Sequence, residues 1–168
     1  SIDVGRVLGI VVFHLPFSLL GAIILIKTKL SATRMGLLSL AFGVLHLTNP
    51  NANPVGIGNI VVAGLFLGAV YLKTASLWWA TGAHLGWNWA LGFLADTPVS
   101  GLDLVDAPFY EAVARETRWI SGGAFGAEGS VVTTAILAAA AYLVWRSPAL
   151  EPGSKAMEVR PLILSGPE

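Results

Sequence analysis

Apolar residues fall into five runs along the chain, separated by segments rich in charge, proline or glycine. The runs are Val7–Ile26, Met35–Thr48, Ile60–Leu72, Ser76–Ala95 and Val131–Trp145. A helix needs about 20 residues to cross a bilayer at 1.5 Å per residue, so the second and third runs need flanking residues or a thin bilayer. The pattern predicts an all-α fold, a polytopic bundle of about five transmembrane helices.

The charged residues between the runs give an orientation. Acidic residues are concentrated between positions 96 and 130, and the segment 49–59 carries no charge. Basic residues follow the first, third and fifth runs, at Lys27, Lys29, Arg34, Lys73, Arg146, Lys155 and Arg160. Because cytoplasmic loops are enriched in Lys and Arg, we expect the N-terminus outside and the C-terminus in the cytoplasm. We expect a helical membrane domain over residues 1–146 and a soluble, loosely ordered tail over residues 147–168.

Composition supports a membrane location and narrows the function. The chain is 55% hydrophobic and 12% charged, whereas soluble domains carry about a quarter charged residues. Ten Lys plus Arg balance ten Asp plus Glu, so no basic field attracts nucleic acid. Cysteine is absent, which excludes disulfides, thiolate metal sites and thiol nucleophiles. The expected partner is the lipid bilayer, and no nucleic-acid partner is expected.

Three histidines and one asparagine lie within or at the ends of the predicted spans: His14, His46, His84 and Asn88. Polar groups are costly in hydrocarbon and mark functional sites by default. His84 and Asn88 are four residues apart and share a helix face. The predicted orientations bring all four to the middle or outer half of the bilayer, so a shared pocket is geometrically allowed. Alternatively, each histidine bonds a neighbouring helix and only stabilises packing.

Three motifs resemble those of a known family. Phe42-Gly43-Val44-Leu45-His46 is similar to an F-x-x-x-H motif, His84-Leu85-Gly86-Trp87-Asn88 to an H-x-x-x-N motif, and residues 121–130 to a glycine-rich segment before the last helix. Together they resemble the CPBP intramembrane metalloproteases, which include CAAX prenyl proteases, over roughly Val7 to Trp145. The resemblance implies that His46, His84 and Asn88 bind or polarise a catalytic metal, such as Zn²⁺, or a water molecule.

The family's catalytic glutamate pair, in an E-E-x-x-x-R motif, has no counterpart here. Its expected position falls on Phe13-His14-Leu15-Pro16-Phe17-Ser18, where His14 stands in place of a glutamate. Three neutral imidazoles can still bind zinc, so His14 is a further candidate ligand. Glu128 resembles a loop glutamate of the family rather than its base, and we assign it no catalytic role.

These observations leave three hypotheses, all for an integral protein of a bacterial cytoplasmic membrane. The favoured one is a CPBP-like protein that has lost protease chemistry and acts as a structural or interaction subunit with other membrane proteins. The second is an active metal-dependent protease with a remodelled site. The third is a pigment or haem-binding subunit, since one intramembrane histidine suffices as an axial ligand. The sequence alone leaves enzyme activity undecided.

Overall fold

The computed structural model describes residues 32–104 and 117–154, and these residues form helices and turns. The α-helices of the described residues are, in chain order, α1 (Ala32–Leu45), α2 (Pro54–Thr74), α3 (Leu77–Trp89), α4 (Arg118–Ser121) and α5 (Val131–Arg146). A π-helical turn, Ala90–Leu94, extends α3, and short 3₁₀ turns cover Gly123–Phe125, Ala127–Gly129 and Pro148–Leu150. The predicted all-α class is confirmed for the described part of the chain.

Helix α2 is the central helix, against which α1, α3 and α5 all pack. Its contact with α1 is close because two glycines face that helix. A β-carbon at Gly64 would lie 2.9 Å from the Ser39 Cα atom, and one at Gly68 would lie 2.7 Å from the Met35 side chain. Small residues at these positions therefore let the two helices approach one another.

Helix α2 begins and ends at recognisable signals. The Asn53 side chain accepts a hydrogen bond from the Gly56 amide at 2.9 Å, and Pro54 occupies the first turn. Proline is favoured there because its missing N–H would have no helical partner. At the other end Ala75 adopts a left-handed conformation with φ 53° and donates to the Tyr71 carbonyl. Helix α3 begins two residues later, so α2 and α3 form a tight hairpin.

Among the described residues, α2 alone is long and apolar enough to cross a membrane by length and composition. Helices α1 and α5 are apolar but shorter. The first predicted span, Val7–Ile26, lies outside the described residues, and the bundle of about five spans stays a prediction. Many large apolar side chains are exposed on α1, α3 and α5, including Leu37, Leu40, Val44, Trp78, Leu85, Val132, Ile136 and Leu143.

The segments at the α1–α2 end of the bundle form what we call the polar corner, residues 49–53, 98–101 and 122–130. Asn59 of α2 is hydrogen-bonded to this corner. Its amide donates to the carbonyls of Glu128 at 2.7 Å and Ser130 at 2.8 Å, and its oxygen accepts from the Thr134 hydroxyl at 2.6 Å. One buried side chain thus joins α2, the corner and α5.

Glycines make the tight path of this corner possible. Gly126 has φ 89° and ψ −176°, a region that only glycine commonly occupies. A β-carbon there would lie 1.9 Å from the Pro98 carbonyl oxygen. A β-carbon on Gly101, which has φ 81°, would lie equally close to the Pro50 carbonyl oxygen. The corner is therefore built by backbone-to-backbone packing.

Candidate functional site

A cavity of about 290 Å³ lies between α1, α2, α3 and the polar corner. Most of its walls are apolar, with Phe42, Ile60, Phe66, Leu67 and Leu137 among the lining residues. The polar and ring-nitrogen side chains that line it are His46, His84, Trp87, Ser100 and Glu128. These five come from four separate parts of the chain.

His46 follows the last residue of α1 and is 7% exposed. Its Nδ1 atom lies 2.7 Å from the Phe42 carbonyl oxygen. Because a carbonyl oxygen can only accept a hydrogen bond, this contact places the imidazole proton on Nδ1. The Phe42 ring also makes edge contacts with both imidazoles, at centroid distances of 4.7 Å to His46 and 5.6 Å to His84. The two histidines therefore flank one aromatic ring in the same cavity, as their predicted depths allowed.

His84 and Asn88 lie one turn apart on α3. The Asn88 amide nitrogen is 3.3 Å from His84 Nε2, so the predicted i, i+4 pair is formed. His84 lines the cavity beside His46, whereas Asn88 supports His84 from the next turn. His14 lies outside the described residues.

The described residues do not by themselves make up a zinc site. Protein zinc sites use four ligands, or three plus a water, drawn from His, Cys and carboxylate side chains. Over residues 32–104 and 117–154, no three such side chains lie close enough to share a metal ion. Two imidazoles and an amide are too few, and the three-histidine site that would include His14 stays a prediction.

Glu128 is the residue that sequence reasoning passed over. Its carboxylate is 5% exposed and lines the cavity with the two histidines. One oxygen accepts from Trp87 Nε1 at 2.9 Å, and the other accepts from the Ser100 amide at 2.6 Å and hydroxyl at 2.7 Å. Three donors compensate the burial of the charge. The sequence signal for this site is a single acidic residue among glycines and apolar residues. That signal does not identify the hydrogen-bond partners, because Ser100 and Trp87 lie 28 and 41 residues away along the chain.

Ser100 occupies an unusual backbone conformation at this site. Its φ is 49°, a left-handed value that costs free energy in a residue other than glycine. Its amide and hydroxyl donate to Glu128, and its carbonyl accepts from the Asn49 amide at 2.9 Å. Hydrogen bonds of its amide, hydroxyl and carbonyl therefore stabilise Ser100 in this conformation.

A family model described as type II CAAX prenyl endopeptidase Rce1-like matches residues 19–90. This stretch is similar to that family. The resemblance predicted from the two histidine motifs is thereby confirmed over these residues. No curated protein matches the chain, and no solved structure matches it.

The limits of the Rce1-like match divide the candidate site. His46, His84 and Asn88 lie within the match, whereas Ser100 and Glu128 follow it. The Rce1-like segment thus supplies the histidine wall of the cavity, and the later part of the chain supplies its carboxylate. His14 precedes the matched residues, so its comparison with the family glutamate rests on the sequence motif alone.

Proposed function

We propose that this chain is a CAAX-protease-like membrane protein that does not cleave peptides, and that it serves as a structural or interaction subunit of a membrane complex. The observation that carries the proposal is the state of the Glu128 carboxylate. Both of its oxygens are engaged by donors from Trp87 and Ser100. A general base needs an acceptor lone pair aimed at the water whose proton it removes. Three of the roughly four acceptor positions of the Glu128 carboxylate are occupied by donors from the fold.

The segment expected to carry the family's base supports the same proposal. Phe13 and His14 stand where the resemblance places two glutamates. A general base contributes about 10²- to 10⁴-fold to a rate, equivalent to about 3 to 5 kcal/mol of transition-state stabilisation. An imidazole at position 14 also supplies no negative charge to a metal.

The test is proteolysis by the purified chain in lipid, with zinc supplied and with a prenylated or membrane-embedded peptide as substrate. We expect no cleavage by the unmodified chain. The variant Phe13→Glu, His14→Glu, Ser18→Arg restores the motif and should create or raise activity. Metal-dependent cleavage by the unmodified chain, abolished by His46→Ala or His84→Ala, would contradict the proposal.

That contrary result would establish the second candidate, a metal-dependent protease with a remodelled site. The observation that favours it is that His46 and His84 line one cavity and both contact the Phe42 ring. Metal analysis of the purified chain distinguishes the two, and an optical spectrum of the same sample tests the third hypothesis, a bound pigment or haem.

A further inference from the structure

The two candidate histidines belong to different helices, and hydrogen bonds link the ends of those helices. Asn49, three residues after His46, donates to the Ser100 carbonyl at 2.9 Å. The Ser100 amide and hydroxyl donate to one oxygen of Glu128, and Trp87 of α3, three residues after His84, donates to the other. A continuous path therefore runs from α1 to α3 through one carboxylate.

We propose that Glu128 is a positioning residue, which fixes α3 relative to α1 and so sets how His84 faces His46. This role rests on the proposed function in that the cavity between these histidines is taken as the site. The carboxylate acts through its hydrogen bonds with Trp87 and Ser100.

Helix α3 packs on α2, but among the described residues this contact buries no whole side chain of α3. None of the residues of Leu77–Trp89 is fully buried. Gly82 and Gly86 face open space, where an added β-carbon would meet nothing within 4 Å. Trp87 lies three residues from His84, on the same side of the helix. Holding the Trp87 indole therefore fixes the rotation of α3 and the direction of the His84 side chain.

The backbone of Glu128 is itself held in position by α2. Its carbonyl and that of Ser130 accept from the buried Asn59 amide of α2. Its backbone is thus tied to α2 while its side chain reaches α3 and the turn at Ser100. The charge also matters, because a carboxylate presents acceptors on both oxygens. An amide at position 128 would turn a donor toward either the Trp87 or the Ser100 donor.

The experiment measures the separation of the helices directly. The chain has no cysteine, so Leu40→Cys on α1 and Leu85→Cys on α3 can carry spin labels at positions 55% and 68% exposed. The distance distribution is recorded by pulsed electron resonance on the full chain in lipid nanodiscs. We expect a single narrow distance in the otherwise unmodified chain.

Glu128→Gln and Trp87→Phe should each abolish the single narrow distance, and the double variant should be no broader than either one. The matched control is Trp89→Phe, since Trp89 is exposed and stacks on Phe93 rather than bonding the corner. It should leave the distance unchanged. A carboxylate that served stability alone would lower the unfolding temperature while the narrow distance persisted, and that outcome would overturn the proposal.

If Glu128→Gln fails to accumulate, Ser100→Ala provides the second variant, because it removes one of the three donors and leaves the charge in place. It should broaden the distribution, and an unchanged distribution would overturn the proposal. The distance measurement needs neither ligand nor activity. Proteolysis by the unmodified chain would therefore contradict the proposed function without affecting the positioning role. An unchanged distance in Trp87→Phe would contradict the positioning role without affecting the proposed function.

Discussion

The two ends of the helix bundle are held together by different kinds of interaction. At the polar corner, buried side chains and close backbone contacts join the three segments to each other and to α2, and no buried side-chain polar atom in the described ranges lacks a partner. At the opposite end, which we call the hairpin end (residues 73–79 and 144–151), an open apolar groove of about 510 Å³ separates α3 from α5. Trp78 beside this groove is 86% exposed.

The link across the hairpin end is an ion pair between Lys73 and Glu151, with Nζ to Oε1 at 2.8 Å. The Glu151 side chain is 60% exposed, so solvent screens the attraction. Local stability follows buried contacts rather than bond lengths. The comparison therefore predicts that substitutions at the polar corner cost far more than substitutions at the hairpin end.

The largest effect is expected from Gly126→Ala. The new β-carbon would lie 1.9 Å from the Pro98 carbonyl oxygen, and the backbone conformation is one that alanine avoids. Strained conformations of this kind cost about 1 to 3 kcal/mol before any steric clash is added. We expect loss of the folded protein or a large fall in its unfolding temperature in detergent.

The control for that substitution is Gly58→Ala on α2, where nothing lies within 4 Å of the added β-carbon. Alanine in a helix interior is favoured over glycine by about 0.5 to 1 kcal/mol, so this variant should be as stable as the parent or more so. Equal tolerance of both substitutions would show that the corner does not depend on its close backbone contact.

A smaller but still large loss is expected from Asn59→Ala. The substitution leaves the carbonyls of Glu128 and Ser130 without their buried donor. Each of the two unsatisfied carbonyls costs about 1 to 3 kcal/mol, so the free energy of unfolding should fall by about 2 to 6 kcal/mol. Denaturant unfolding in detergent provides the measurement.

Thr134→Val separates the hydrogen bond that the Asn59 side chain accepts from those that it donates. It removes the Thr134 hydroxyl bond to the Asn59 oxygen and leaves both carbonyl contacts intact. A single hydrogen bond contributes about 0.5 to 1.5 kcal/mol, so this variant should lose less than Asn59→Ala. If the two variants lost the same stability, the carbonyl contacts would not be the source of the effect.

The smallest effect belongs to the hairpin end. Glu151→Gln removes the ion pair with Lys73, and exposed pairs are worth about 0 to 1 kcal/mol. We expect a change near the limit of detection at low salt that vanishes at high salt. A loss comparable to that of Asn59→Ala would contradict the comparison between the two ends.

Within the described residues, sequence periodicity placed the helices well because each apolar run there is bounded by local signals. The predicted run Ser76–Ala95 corresponds to α3 and its π-helical turn, and Val131–Trp145 corresponds to α5. The start of α2 was predicted six residues late. Asn53 and Pro54 were read only as a helix break, although they serve as the cap and first turn of a helix.

The candidate site was predictable only in part. Depth along the helices brought His46 and His84 together correctly, because rise per residue is fixed. Their chemical roles stay predictions. The contacts of Glu128 could not be predicted, since they depend on a left-handed serine and on glycine turns that bring distant segments together. Nothing local to residue 128 specifies that geometry.

The short hairpin between α2 and α3 bears on how the chain is made. Two residues, Ala75 and Ser76, separate the helices, and a link of that length reaches only about 10 Å. In the predicted bundle the two helices therefore cross the bilayer as a hairpin, with both outer ends on the same side. Cysteines at positions 51 and 97 of stalled nascent chains should react with impermeant reagents from one side only. Because His46 and His84 both precede Glu128 in the sequence, the histidine wall of the cavity is translated before the carboxylate that orients it.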